Sequence, residues 1–268
     1  MSSRLSLAAL VVAVAVSHSW GAVLFDENYT GSNYQPLTPT GVIDMGEGNF
    51  VYRDTATALS TVGSVINWQF QTKVDGIIFD TGNIGFTFPG ELTFIASVNQ
   101  VVTNVTGNEI TLGLGVPPVP NGFLNLWALI YDPTPPLGNS DINSGQFFND
   151  GTVIMQGYFT SLSHVFDPTN VLTQPGEFLA DLAFFYADPL AFQFTTPARA
   201  TIDGASWFPS QLPASAFIVQ APPGVNDVTG SVDFSMQFIA IPEASTMMLV
   251  GIGLVAGGLV SVRRRQTN

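Results

Sequence analysis

The chain reads as an all-β protein, an antiparallel β-sandwich or jelly-roll-like domain set between two apolar terminal segments. Three observations point there. First, two stretches alternate strictly. Ile66, Trp68 and Phe70 interleave with Asn67, Gln69 and Gln71, and Val232, Phe234, Met236 and Phe238 interleave with Ser231, Asp233, Ser235 and Gln237. A period of two puts the apolar set on one face of a strand and the polar set on the other, the signature of an antiparallel sheet with one solvated face. Second, Gly, Pro, Asn, Asp and Thr recur between short apolar runs, as they do between many short strands. Third, residues 101–106 and 109–114 flank Gly107-Asn108, a pair suited to a tight hairpin turn.

Residues 1–21 have the form of a secretory signal peptide. Arg4 supplies the positive start, residues 5–16 are a compact apolar core, and Ser17, Ser19 and Gly21 are small residues suited to cleavage. The apolar core is short for a stable membrane anchor. Residues 22–241 then form the β-sandwich-like extracytoplasmic domain. Strands are expected at 50–56, 66–71, 76–80, 91–98, 101–106, 109–114, 123–131, 153–160, 191–195 and 231–241. Residues 179–186 fit either a strand or a short helix. Pro117-Pro118-Val119-Pro120 is a stiff connection, and residues 132–151 form a long polar loop. No internal repeat is visible.

Pro242 stops the last strand, because it fixes φ and has no N–H to donate. Residues 246–262 follow with 17 uncharged positions. At about 1.5 Å per residue they span roughly 25 Å as a helix, near the short limit for a hydrocarbon core of about 30 Å. Arg263, Arg264 and Arg265 close the segment, and arginines beside a span stay cytoplasmic, which places the domain outside. Gly253 and Gly257 are spaced for close helix approach, although glycine is common in such spans.

This tail resembles the PEP-CTERM sorting signal, also catalogued as a C-terminal segment of some ice-binding proteins. Residues 242–268 carry the resemblance: the motif at 242–244, the transmembrane stretch 246–262 and the basic end 263–265. Pro242 and Glu243 match the Pro-Glu-Pro core, and Ala244 stands where the family has its second proline. The resemblance implies an exosortase as processing partner, with cleavage near the motif. It implies a route from the inner membrane to the cell surface or matrix of an exopolysaccharide-producing bacterium. It covers only the end of the chain and carries nothing about residues 22–241.

Composition narrows the rest. Between the terminal segments only Arg53, Lys73 and Arg199 are basic, against nineteen acidic residues, a net charge of −16. Such a surface repels nucleic-acid phosphates and anionic lipid and favours solubility or attraction of cations. There is no cysteine, so thiol catalysis, cysteine metal sites and disulfides are excluded within this chain. His18 lies in the signal segment, leaving His164 alone. A multi-histidine zinc site within one mature chain is therefore impossible. One histidine suffices for a serine triad, but there is no G-x-S-x-G elbow, and His164 reads as a polar residue near a strand end.

The remaining candidates are weaker than ordinary structure. Asp141, Asn143, Asn149 and Asp150, with Gly145 and Gly151, offer oxygens suited to calcium. Yet the twelfth position of an EF-hand loop begun at Asp141 is Thr152 rather than Glu, and these residues equally build turns. Asp75, Asp80 and Glu91 are candidate glycosidase carboxylates, whose required spacing is spatial and invisible in sequence. Trp68 belongs to the core, whereas Trp207, in a loop-like Gly204–Pro209 stretch, is the aromatic candidate for stacking on a sugar.

The reading carried forward is an exported, non-catalytic envelope or matrix protein, handled by signal peptidase and the export machinery. It is held in the inner membrane until an exosortase acts, takes no cofactor and binds no nucleic acid. Exopolysaccharide is the natural neighbour. The alternatives are a carbohydrate- or calcium-binding jelly roll and a carboxylate-based glycoside hydrolase. Ice binding is remote, because the short repeats of an ice-binding solenoid are missing.

Overall fold

The computed structural model describes residues 22–53, 59–80, 82–83, 90–115, 125–133, 151–167, 175–195, 197–207 and 228–241, and every regular element among them is a strand. In chain order these are β1 (Val23–Phe25), β2 (Gln35–Pro36), β3 (Val42–Arg53), β4 (Val65–Lys73), β5 (Gly76–Phe79), β6 (Gly82–Asn83) and β7 (Glu91–Thr106). There follow β8 (Glu109–Leu114), β9 (Leu126–Asp132), β10 (Thr152–Phe166), β11 (Gly176–Ala187), β12 (Phe192–Phe194), β13 (Ala198–Trp207) and β14 (Val228–Ala240).

The alternating segments are β4 and β14, and both point their apolar set inward. The sheet that carries them is antiparallel and closes on itself. From β3 it runs through β4, β7, β10, β11 and β13 to β14, and β14 pairs back onto β3. Between the long strands β7 and β10 a single slot is shared by two short strands. β9 fills one half and β8 the other. The two layers of this sandwich-like fold are thus halves of one continuous sheet, which removes most free edges.

At the seam between β8 and β9 the β7 backbone has no strand partner on that side, and Asn125 supplies one. Its Oδ1 accepts from the Asn99 N–H at 2.8 Å, and its Nδ2 donates to the Gly115 carbonyl at 3.1 Å. The Gly115 N–H returns to the Asn99 carbonyl at 2.8 Å. Each of these buried backbone groups is thereby satisfied.

The interior is aromatic. Trp68 meets the rings of Phe70, Phe178, His164, Phe50, Tyr52 and Phe234 at centroid distances from 4.4 to 6.2 Å. β13 makes room for them, presenting Ala198, Ala200, Ile202, Gly204 and Ser206 to the inside. One end of the barrel is closed by a second sheet of order β12-β1-β2. Phe25 and Phe192 lie 4.9 Å apart there, and Phe192 reaches Phe238 of β14 at 5.9 Å. A loop anchored by Asp26 braces this cap. The buried carboxylate accepts from the backbone N–H groups of Asn28, Thr30, Ser32 and Asn33 and from the Thr30 hydroxyl.

Several expectations change. Residues 91–98 and 101–106 form one strand, β7, because Asn99 and Gln100 are buried with hydrogen-bond partners rather than exposed in a turn. Residues 179–186 are strand, fixed between β10 and β13. β13 had no sequence counterpart, and β3 begins eight residues before the expected 50. The polar face of β4 is not solvated at Gln69 and Gln71, both of which are buried. The 107–108 turn forms as expected, with Gly107 at φ 63°. The terminal segments, the 117–120 connection and residues 134–150 lie outside the described residues.

Candidate functional site

The single histidine of the barrel is buried in its interior. β3, β7, β10 and β13 bring together Tyr52, Gln100, His164 and Ser206, all four with no solvent exposure. The Tyr52 hydroxyl donates to Gln100 Oε1 at 2.9 Å. Its oxygen therefore accepts from His164, whose Nδ1 lies 2.7 Å away. With its one proton on Nδ1, the neutral ring leaves Nε2 as acceptor for the Ser206 hydroxyl, also at 2.7 Å. The hydrogen bonds run in one direction, from Ser206 through His164 and Tyr52 to Gln100.

This is the order of a serine nucleophile and its base, with a phenol where a triad has a carboxylate. Its surroundings oppose the charge such chemistry needs. Burial pushes the His164 imidazole down to about 3 and the Tyr52 phenol well above its ordinary value. The His164 ring is packed by Phe166 at 4.9 Å, Trp68 at 5.5 Å and Phe178 at 5.7 Å. Outside it lies a groove of about 440 Å³ whose lining includes Glu109, Phe166, Asp167, Gly176, Glu177 and Gly204. Gly176 separates that groove from the serine. A Cβ there would fall 2.6 Å from Ser206 Oγ, so glycine is required by the close approach. The chain of four is a buried polar core in which each link is a hydrogen bond, with Gln100 Nε2 at its end left without a partner. His164 is two residues from the end of β10, as a strand-end residue should be, but it points inward.

The carboxylates do not converge on a common partner. Glu91 pairs with Lys73 at 2.7 Å, Asp80 accepts from the Thr40 hydroxyl, and Asp75 is exposed in the turn between β4 and β5. No group of three or more His, Asp or Glu suited to a metal is found among the described residues. The calcium candidates Asp141, Asn143, Asn149 and Asp150 lie outside those residues. Trp207 ends β13 opposite Ser231 instead of lying in a loop, and its side chain is likewise outside. Sequence reasoning singled out His164 but not Tyr52, Gln100 or Ser206. No spacing rule links four residues on four strands.

The other site is the point where the sorting segment joins the fold. Pro242, Glu243, Ala244, Arg263, Arg264 and Arg265 lie outside the described residues, but their attachment does not. β14 continues to Ala240, paired with Ala198, and the Ile241 N–H donates to the Pro197 carbonyl at 2.8 Å. The other end of the domain meets the same segment. The Ala22 N–H donates to Thr195 Oγ1 at 2.6 Å, and the Thr195 N–H to the Ala22 carbonyl at 3.0 Å. Ala22 and Ile241 therefore leave the barrel side by side, at the capped end.

No curated protein and no solved structure matches this chain. The family model described as the PEP-CTERM protein-sorting motif matches residues 240–265, so the chain carries this sorting signal, and the signal begins on the last residue of β14.

Proposed function

We propose that this is an exported envelope or extracellular-matrix protein whose closed β-barrel is the passenger of its sorting signal. Export, membrane anchoring through residues 246–262 and exosortase cleavage near 242–244 make up its itinerary. The observation that carries the reading is the join between β14 and the motif matched at 240–265, with no intervening stalk. The passenger's role is structural rather than catalytic. That part rests on the enclosure of Ser206 and His164, which keeps substrate from the serine–histidine pair. Expression beside an exosortase, followed by mass spectrometry of surface material, tests the itinerary. A mature chain ending between Ile241 and Ala244 is expected, and recovery of intact chains bearing Arg263 to Arg265 would count against it.

A carbohydrate-binding role is the second reading, and one observation favours it. Tyr158 is 46% exposed on the outer face of β10, paired with Leu126. Beside it a shallow depression of about 130 Å³ includes Ile95, Ser97, Leu126, Ala128 and Gln156 in its lining. An exposed ring next to amide and hydroxyl groups suits a sugar face. A glycan array with wild type and Tyr158→Ala decides it, and the absence of any wild-type signal removes this reading.

A further inference from the structure

The capped end of the barrel is also where exposed apolar side chains gather. Phe185 and Tyr186 end β11 there, 61% and 42% exposed. Leu190 projects from the turn closed by the Ala191 and Phe192 N–H groups on the Asp188 carbonyl, and it is 45% exposed. Ile241, 43% exposed, lies at the start of the matched sorting motif, directly before Pro242. β11 and β12 hold these positions together. The Phe184 and Phe194 rings lie 4.9 Å apart, and Thr195 and Pro197 carry Ala22 and Ile241.

Chain length supplies the occupant. From Ile241 to Thr246, where the uncharged run begins, there are five steps, which reach at most about 17 Å when fully extended. The headgroup layer on one side of a bilayer takes up roughly 6 Å of that. While the tail is in the membrane, only about 11 Å of reach remains beyond the headgroups, so the capped end stays close to the lipid surface. Phe and Tyr beside aliphatic residues match that interface.

Charge selects the lipid. The same end carries Asp188, which accepts from Tyr29 and from the Leu190 N–H, and also the buried Asp26, Glu27, Asp44, Asp75, Asp80, Asp132 and the Lys73–Glu91 pair, with Arg199 near the start of β13. Acidic groups in this number repel an anionic leaflet.

We propose that the end of the barrel bearing Phe185, Tyr186, Leu190 and Ile241 is a membrane-facing surface, resting on zwitterionic lipid while the protein is anchored. This rests on the anchoring step of the proposed function and adds an orientation. The turn at Gly107 and Asn108, at the far end of the long strand β7, points away from the bilayer.

The absence of cysteine provides a clean background for the test. The full chain is reconstituted in phosphatidylcholine vesicles as Leu190→Cys, Phe185→Cys or Asn108→Cys, each labelled with an environment-sensitive dye. All three positions are exposed, so labelling does not disturb the core. Quenching by headgroup-nitroxide lipid should be several-fold stronger at 190 and 185 than at 108, and weaker when phosphatidylglycerol replaces part of the phosphatidylcholine. Equal quenching at all three sites in vesicles that carry the protein would overturn the orientation. Stronger quenching in anionic vesicles would overturn the lipid preference. A chain that does not float with vesicles at all would instead count against the anchoring step.

Discussion

Nε2 of His164 lies 2.7 Å from Ser206 Oγ, although their strands, β10 and β13, are separated by β11 and never pair. The contact exists because the inner face of β13 is small and the ring can cross it. Ser206→Ala leaves a buried acceptor bare and should destabilise by about 1–3 kcal/mol. Tyr52→Phe strips both the acceptor of Nδ1–H and the donor to Gln100, and should cost at least as much. Urea unfolding followed by tryptophan fluorescence measures both. Variants as stable as wild type would show that the chain of four contributes nothing.

Acid should unfold the barrel through the same ring. The folded imidazole is pushed down to about 3 from an ordinary value of 6.5. Between those values the unfolded chain binds the proton and the folded chain does not, so stability falls as pH drops below about 6.5. At roughly 1.4 kcal/mol per pH unit, the loss is about 2 kcal/mol by pH 5. His164→Gln should flatten that slope even if it lowers stability overall. An unchanged slope in the variant would assign the pH dependence elsewhere.

Asp26 contributes a second acid-sensitive element. Burial raises its carboxyl, but hydrogen bonds from the Thr30 side chain and the Ser32, Asn33 and Asn28 backbones outweigh this, and the net shift is downward. Its contribution is complete above the ordinary carboxylate range and lost as pH falls through the lowered value. At pH 7, Asp26→Asn should weaken the cap by about 1–3 kcal/mol. Hydrogen exchange should show faster exchange of the N–H groups of residues 28–33, with the barrel unchanged.

The seam is a third point of weakness. Asn125→Ala removes the partner of the Asn99 N–H and of the Gly115 carbonyl, both buried. A loss of about 2 kcal/mol is expected, with exchange rising first where β8 and β9 meet. Gly46→Ala should also be costly, by about 1–3 kcal/mol. Gly46 has φ 47°, and an added Cβ would fall 2.0 Å from Asp75 Oδ2. Thermal denaturation checks both.

Much of the fold was legible where the inner face is large and apolar. Phe234, Met236 and Phe238 announce β14, and Trp68 and Phe70 announce β4. β13 was hidden because its inner face is small, so that neighbouring rings fit, and Ala200, Gly204 and Ser206 give little periodic signal. The first half of β3 was masked by Gly46 and Gly48. Gln100 looked like a break in β7 because its burial depends on Tyr52, a residue on another strand. The sorting motif was readable since it is a linear signal. The His164 cluster was not, because ring closure alone brings its members together.

The pairing of β14 with both β13 and β3 has a temporal consequence. Residues 228–240 are the last of the barrel to leave the ribosome, and the ring stays open until they arrive. The sorting signal follows them without a gap. The address is therefore made only after the last stave, and a sorting enzyme that acts on the tail acts on a chain that already holds every strand of the ring.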